Sequence, residues 1–379
     1  MKDCTLIVTT TFGLEKVAKR ELEDLGFKGF KVSDGKIEFD AGFNDIARLN
    51  VSLRTADRVF LKLAEFKALD FDDLFFHVSK IDWAFWIPKN ARMTVIAAVT
   101  RSQINSERSC QAMVKKAVVE QLKKHYKADW IKESAAEITI KISIFKDMAL
   151  LALDTTGIGL HKRGYRQQGG EAPIRENLAA ALVLLSLWNK DRVLIDPMCG
   201  SGTIVIEAAM IARNIAPGLN RSFAAEHWPY IPQKSWMDAR ARAREAEDKT
   251  AKFQIFGYDI EKKHISASRM NAKNAGVLDD IVFARADAKQ LKLEHDHGIL
   301  ISNPPYGVKM GTEKELSLLY SALDNLFKKR PDWSVYIITA DKEFPKFFTR
   351  AKPDHVRKLY NGNIEAGYFQ YYGTRPPTK

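Results

Sequence analysis

Cysteine is scarce in this 379-residue chain, and the three that occur, Cys4, Cys110 and Cys199, lie far apart. An odd number of widely separated cysteines builds neither a disulfide framework nor a zinc ribbon. Hydrophobic residues make up 46% of the sequence and charged residues 28%, which excludes a disordered or collagen-like chain. At the usual size of domains, the length predicts two or three domains with buried cores.

Long apolar runs are also missing from the sequence. The uncharged segment Leu178–Trp188 is far too short to cross a bilayer, so we expect no transmembrane helix. The chain starts with Met1-Lys2-Asp3-Cys4, and the brief apolar stretch that follows is unlike the long apolar segment of a secretory signal. We therefore expect a cytoplasmic protein with no membrane partner.

Positive charge exceeds negative charge, with 59 Lys and Arg against 47 Asp and Glu, which gives a net charge of +12. Residues 1–60 contain ten basic and ten acidic side chains, so the whole excess lies beyond residue 60. Such an excess favours a polyanionic partner such as nucleic acid, although an ordinary basic surface carries the same charge.

The periodicity of the first 156 residues is typical of two small α/β modules, 1–60 and 61–156. The second module contains a predicted helix from about Ser109 to Tyr126, whose polar side carries lysines that include Lys116 and Lys123. Taken alone, such a lysine face is typical of a solvated helix surface. Support from elsewhere in the chain would make these two lysines candidates for RNA binding.

Residues 157–172 combine glycines with clustered cations, which is typical of a linker exposed between domains. The same residue types also hold phosphates and stack on bases. The candidate RNA contacts in this segment are Lys162, Arg163, Tyr165 and Arg166.

From residue 173 to 379, predicted helices alternate with short apolar runs that end near Ile195, Tyr258, Ala284, Ser302 and Thr339. Such alternation predicts βαβ units and a mostly parallel sheet. The last two predicted strands are separated by Asn361-Gly362, a strong hairpin turn. The predicted fold class is therefore α/β, with a parallel sheet that ends in an antiparallel hairpin.

A glycine turn follows the first strand of this region, in the sequence Asp196-Pro197-Met198-Cys199-Gly200-Ser201-Gly202-Thr203. In a parallel sheet, such a turn lets a ligand approach the backbone closely. Val205 stands at the third glycine position of the dinucleotide fingerprint, and the glycines alone equally fit a tight strand-to-helix turn. Asp196 repels phosphates and suits a ligand that carries an amino group.

Acidic residues also end the next two predicted strands. Asp259, which precedes Ile260, is placed to accept hydrogen bonds from a ribose diol. Asp287, which precedes Ala288, is placed to accept a hydrogen bond from an adenine amino group. Together with Asp196, these carboxylates fit S-adenosylmethionine better than NAD. The candidate cofactor residues are Asp196, Pro197, Met198, Cys199, Gly200, Ser201, Gly202, Thr203, Asp259, Ile260, Asp287 and Ala288.

The fourth strand runs directly into Asn303-Pro304-Pro305-Tyr306. The Asn303 side-chain oxygen and the Pro304 carbonyl can accept both hydrogens of an exocyclic base amine, which favours the form whose lone pair attacks a methyl sulfonium. Pro305 stiffens the turn, and Tyr306 can stack on an extruded base. A rigid proline turn is the alternative, and it is the weaker interpretation after a strand of this fold.

Five segments together resemble those of one family. They are residues 161–166, 172–179, 196–203, 303–307 and 360–365. The chain is similar over nearly its whole length to the THUMP-containing RlmL-type methyltransferases. The resemblance implies an N-terminal ferredoxin-like domain (1–60), a THUMP RNA-binding domain (61–156) and, after the linker, a Rossmann-like class I methyltransferase domain (173–379).

The same resemblance implies that Asp196 to Thr203 form the cofactor loop, that Asp259 holds the ribose and that Asp287 contacts the adenine. It also implies that residues Asn303 to Tyr306 bind the amine that is methylated. The expected reaction is methyl transfer from S-adenosylmethionine to guanine N2 of 23S ribosomal RNA or of a large-subunit precursor, without a metal. The rivals are a transfer-RNA guanine-N2 methyltransferase, a DNA adenine-N6 methyltransferase and a non-catalytic RNA-binding or ribosome-assembly factor.

Three further features leave alternatives open. The long stretch between Gly202 and Asp259 predicts an insertion beside the site, either a substrate lid or padding. Glu176 and Asn177 open the next helix and suit the methionine end of the cofactor, but helix-start signals explain them nearly as well. Cys199 as a nucleophile, and His295 with His297 as metal ligands, are weaker hypotheses.

Overall fold

The computed structural model describes residues 3–127, 137–166, 173–305 and 313–375. In its N-terminal half the strands are β1 (Asp3–Thr10), β2 (Lys31–Ser33), β3 (Lys36–Gly42), β4 (Ala56–Lys67), β5 (Arg92–Thr100), β6 (Glu137–Phe145) and β7 (Met148–Asp154). The helices there are α1 (Glu15–Asp24), α2 (Phe43–Ser52), α3 (Phe71–Ser79), α4 (Trp83–Trp86) and α5 (Glu107–Tyr126).

These strands form one seven-stranded sheet in the order β2-β3-β1-β4-β7-β6-β5. Neighbouring strands in this sheet are antiparallel, except for β5 and β6, which are parallel to each other. Strand β4 runs through residue 60, so the two modules predicted for this half share a continuous sheet. The alternating isoleucines of β6 are buried, as the predicted hairpin requires.

The C-terminal half contains strands β8 (Leu194–Asp196), β9 (Ile255–Asp259), β10 (Ile281–Arg285), β11 (Ile299–Ser302), β12 (Ser334–Thr339), β13 (His355–Asn361) and β14 (Ile364–Tyr371). Its helices are α6 (Glu176–Leu185), α7 (Thr203–Ala212), α8 (Gln233–Glu245), α9 (Lys262–Ala275), α10 (Glu313–Lys328) and α11 (Phe344–Phe347). None of the helices within the described residues combines the length and the apolar character of a bilayer-spanning segment.

The second sheet has the order β10-β9-β8-β11-β12-β14-β13. Strands β8 to β12 run parallel, and β14 is antiparallel to both of its neighbours. The predicted α/β class, with a parallel sheet that ends in an antiparallel hairpin, is confirmed. Because β8 and β11 are adjacent, the glycine turn and the Asn303 segment leave the same edge of the sheet.

The insertion after α7 does not lie beside the glycine turn, so that prediction is wrong. Helix α7 starts at the turn and carries the chain about 15 Å away from it, at 1.5 Å per residue. Trp228 and Trp236 are then buried in the core of the N-terminal half. Helix α8 packs against α2, and the Gly218 N–H donates to the Val51 carbonyl at 2.9 Å. The insertion therefore joins the two halves.

Candidate active site

The glycine turn is held open by two residues in left-handed conformations. Gly202 has φ +83°, and a Cβ added there would lie 2.9 Å from the Cβ of Ser268, so this position requires glycine. Gly200 has φ +53°, and a Cβ added there would point into open space. The free space at Gly200 lets a ligand contact the backbone, which is the geometry that a bound cofactor needs.

The end of β9 fixes the turn from the other side. The Cys199 N–H donates to the Tyr258 carbonyl at 2.8 Å, and the Gly200 N–H donates to Asp259 Oδ2 at 3.0 Å. The other oxygen of Asp259 accepts from the Glu261 N–H at 2.9 Å and lies 3.0 Å from His264 Nδ1. Asp259 is thus oriented next to the turn, where its remaining lone pairs can accept from ribose hydroxyls.

Residues that fit an adenine ring flank this carboxylate. Ile260 is 43% exposed directly after Asp259, and Ala288 is buried. Asp287 is half-buried and accepts from the Lys289 N–H at 2.9 Å. An exposed apolar side chain beside a fixed acceptor matches the two needs of an adenine, which are an apolar face and an acceptor for its amino group.

Asp196 connects the two strand ends at which the chemistry is expected. Its Oδ1 accepts from the Ser302 hydroxyl at 2.6 Å and from the Met198 N–H at 3.1 Å. Burial raises the pKa of Asp196 to about 7, against the lowering effect of these two hydrogen bonds. A cationic ligand group beside this buried carboxylate would favour its charged form, so the site suits an α-ammonium group.

The Asn303 segment begins one residue beyond this hydrogen bond. Strand β11 pairs with β8 through Ile299 and Leu300, which brings Ser302 next to Asp196 at the carboxyl edge. Asn303 and Pro305 are half-buried there, and Pro304 is buried. Tyr306 lies outside the described residues.

Glu176 lies near the start of α7, and Arg166 connects the two. The Arg166 guanidinium donates to Thr203 Oγ1 and to the Ile174 carbonyl, both at 2.8 Å, and lies 3.6 Å from Glu176. Burial raises the pKa of Glu176. Arg166 therefore supports the glycine turn.

Asn177 is hydrogen-bonded to the N-terminal half, which does not fit its predicted role in cofactor binding. It is fully buried, and its amide donates to Asp57 Oδ1 at 2.8 Å. Asp57 belongs to β4, so Asn177 connects α6 to the N-terminal half.

Arg163 and Tyr165 are buried, and the prediction that they contact RNA is wrong. Arg163 pairs with the fully buried Glu207 of α7 at 3.4 Å, and it also donates to the Arg54 and Leu160 carbonyls. The Tyr165 hydroxyl donates to Glu207 at 3.1 Å. The described part of the presumed linker, 157–166, is consequently packed between the halves, and among its four candidates only Lys162 is exposed.

Lys116 and Lys123 of α5 are exposed, and the Lys116 ammonium lies 5.4 Å from the centre of the Phe75 ring.

Cys199 is buried, which raises the pKa of its thiol well above the usual range and disfavours a nucleophilic thiolate. Within the described ranges, no group of three or more His, Cys, Asp and Glu side chains is arranged to hold a metal ion.

Sequence reasoning missed two residues of this site, Ser302 and Glu207. Ser302 is a fully buried polar residue that directly precedes Asn303. Glu207 is the only charged residue of α7. A charged residue inside an apolar helix signals a buried partner, but the sequence does not identify that partner.

Three family descriptions match successive parts of the chain. The RlmL ferredoxin-like domain matches residues 5–60, the THUMP domain residues 68–154, and the RMKL-like methyltransferase domain residues 163–369.

Among curated proteins, the candidate RNA methyltransferase YpsC of Bacillus subtilis is 43% identical, over 100% of this chain and 99% of its own length. The ribosomal RNA large subunit methyltransferase K/L of Psychromonas ingrahamii is 34% identical over 94% of this chain, but the match covers 49% of that protein. The chain thus spans about half the length of the K/L relatives.

Among solved structures, the methyltransferase-like protein SMU.472, complexed with S-adenosylhomocysteine, is 38% identical and superposes with a TM-score of 0.93. The match covers 99% of this chain and 100% of that one.

Proposed function

The chain belongs to the RMKL-like methyltransferase family, and from this premise we propose that it transfers a methyl group from S-adenosylmethionine to an exocyclic base amine in RNA. The proposed target is guanine N2 of large-subunit (23S) ribosomal RNA. The observation that carries the proposal is the Asp196–Ser302 hydrogen bond of 2.6 Å, which joins the glycine turn to the residue before Asn303.

The residues of the turn fit the cofactor. Bound S-adenosylmethionine would supply an electrophilic methyl group on a sulfonium. Asp196 would accept from the α-ammonium, Asp259 from the ribose hydroxyls and Asp287 from the adenine amino group. The open space at Gly200 and the exposed side chain of Ile260 support this arrangement.

Asn303 and Pro304 would orient the substrate amine. The lone pair of an aryl amine is conjugated into the ring, and accepting both of its hydrogens at fixed oxygens favours the pyramidal, nucleophilic form. Asn303 supplies a side-chain oxygen and Pro304 a backbone carbonyl. Rate enhancement then comes from positioning and electrostatics, without a covalent enzyme intermediate.

RNA as the substrate class is supported by the THUMP match over residues 68–154 and by the names of the relatives. Exposed cations on the N-terminal half, including Lys116 and Lys123, would contribute phosphate contacts.

The test is methyl transfer from labelled S-adenosylmethionine to unmodified ribosomal RNA, transfer RNA and DNA in parallel, followed by nucleoside mass spectrometry. The proposal predicts N2-methylguanosine in 23S ribosomal RNA. N2-methylguanosine in transfer RNA alone would contradict the proposed substrate. N6-methyladenine in DNA would contradict both the proposed substrate and the proposed target base. No product on any of them, together with no calorimetric binding of the cofactor, would support a non-catalytic RNA-binding or assembly factor.

A further inference from the structure

Two aromatic rings meet where the two halves of the molecule touch. Phe12, in the loop between β1 and α1, packs edge to face against Tyr360 of β13, with ring centroids 6.3 Å apart and planes at 72°. Phe12 is 49% exposed, and Tyr360 is half-buried. Each half thus contributes one ring to a surface that is open to solvent.

The backbone around Phe12 is fixed against the hairpin. Gly13 has φ +90°, and a Cβ added there would lie 2.9 Å from the Lys358 carbonyl oxygen, so only glycine fits this contact. Leu14 is buried in the core of the C-terminal half. On the other side, the Asn361 side chain accepts from the Arg175 N–H at 3.3 Å. The two rings are therefore held in place before any ligand binds.

The strand register places Tyr360 on the edge that carries Asn303. Ser302 pairs with Ile337 of β12, and Ile337 pairs with Phe369 of β14. Phe369 in turn pairs with Val356 of β13, so Val356 is level with Ser302. Asn303 therefore lies three strands across from Tyr360 and three residues short of it. These steps correspond to about 14 Å across the sheet and about 10 Å along it. A few unpaired nucleotides bridge such a separation.

Two cations and one carboxylate lie near the rings. The Lys358 ammonium lies 5.6 Å from the centre of the Tyr360 ring and pairs at 2.6 Å with Glu365, which also accepts from the Tyr360 hydroxyl at 3.3 Å. A guanidinium nitrogen of Arg175 lies 3.6 Å from the position of a Cβ on Gly362, at the hairpin turn. Exposed aromatic faces among cations are the combination with which proteins bind single-stranded nucleic acid.

We propose that Phe12 and Tyr360 form a stacking platform for an unpaired RNA base a few nucleotides from the methylated one. The inference rests on the proposed function and adds a second contact for the same substrate. Stacking accepts any base, so the platform sets the register of the RNA strand at Asn303 and leaves recognition of the target base to the active site.

The test measures the KM for unmodified 23S ribosomal RNA and cross-linking to the same RNA substituted with 4-thiouridine. Phe12→Ala should raise the KM by about 5- to 150-fold, because stacking on an aromatic ring contributes about 1–3 kcal/mol per base. Phe12→Tyr keeps the ring and should restore the wild-type KM. The wild-type protein should yield cross-linked peptides that contain Phe12 or Tyr360.

The matched control is Tyr372→Ala, just after β14. Tyr372 is 36% exposed, and it lies at the opposite edge of the sheet from Asn303, because β14 runs antiparallel to β12. Its KM should stay at the wild-type value, and equal melting temperatures would show that all variants fold.

The outcomes separate the two proposals. If the wild-type protein methylates 23S ribosomal RNA and Phe12→Ala leaves the KM unchanged, or if Tyr372→Ala raises it equally, the platform is wrong and the proposed function stands. If the wild-type protein modifies no RNA, the proposed function fails and the platform fails with it.

Discussion

The two halves of this molecule each contain a seven-stranded sheet, but the sheets distribute their polar residues differently. In the parallel C-terminal sheet, Asp196, Asp259 and Ser302 all stand at the carboxyl ends of strands. Parallel strands end at the same edge, so their last residues meet in one site. In the N-terminal sheet most neighbouring strands are antiparallel and end at opposite edges, and its exposed cations include Lys116 and Lys123 on helix α5. One sheet is suited to chemistry and the other to a broad, additive interface.

The largest effect on turnover should come from the strand edge. Asn303→Ala removes one of the two acceptors for the amine, and we expect turnover to fall by about 100- to 1,000-fold, as when one transition-state hydrogen bond is lost. Rates of methyl transfer to ribosomal RNA would measure this effect. A wild-type rate in this variant would remove the proposed mechanism.

The largest effect on stability should come from the contact between the halves. Glu207→Gln leaves the Arg163 guanidinium buried without its carboxylate, and breaking such a pair costs about 3–5 kcal/mol. Urea denaturation would report the loss in the free energy of unfolding. Lys162→Ala, at the exposed neighbour of Arg163, should change this free energy by at most about 0.5 kcal/mol. Similar values for both variants would contradict the description of the junction.

A smaller effect follows from the pKa of Asp196, which burial raises to about 7. Binding of a cationic ammonium favours the charged carboxylate, so protonation below pH 7 must oppose cofactor binding. We expect the affinity for S-adenosylmethionine to fall roughly tenfold from pH 7.5 to pH 6, with proton release on binding. Calorimetry in buffers of different ionisation enthalpy measures both. Asp196→Asn should bind more weakly and lose most of this pH dependence; an unchanged pH profile would exclude Asp196 as its source.

The smallest effect should come from the N-terminal surface. Replacing Lys116 and Lys123 together by alanine should weaken RNA binding a few-fold and reduce the slope of log K against log salt by about 1.4, since each phosphate contact on a single strand contributes about 0.7. Fluorescence anisotropy across a salt series would measure the slope. Alanine at the exposed Lys234 and Lys249 of the insertion is the control. Equal slopes for both double variants would show that the α5 surface has no special role.

The residues that could be predicted from the sequence obey local rules. The Asn361-Gly362 turn joins β13 to β14 as expected, with Gly362 at φ +65°. The alternating isoleucines of β6 and the alternation of strands with helices after residue 173 also specify their own secondary structure. The parallel sheet then determines which strand ends lie side by side.

The residues that escaped prediction depend on distant partners. Arg163 and Tyr165 have the composition of a nucleic-acid contact, but Glu207, which lies 44 and 42 positions further along the chain, draws them into the interior. Asn177 likewise binds Asp57, 120 positions away. Trp228 and Trp236 pack into the core of the other half. No local pattern encodes such pairings, so a buried and an exposed arginine look alike in the sequence.

In the proposed mechanism, adjacent strand ends have separate roles, since the glycine turn holds the cofactor and the Asn303 segment orients the amine. Calorimetric titration of S-adenosylmethionine into the wild-type protein, Asn303→Ala and Asp196→Ala separates the two roles. We expect a wild-type Kd for Asn303→Ala and a Kd raised at least about tenfold for Asp196→Ala, because the latter loses a charge-assisted hydrogen bond. Equal weakening in both variants, or in neither, would show that the two strand ends do not have separate roles.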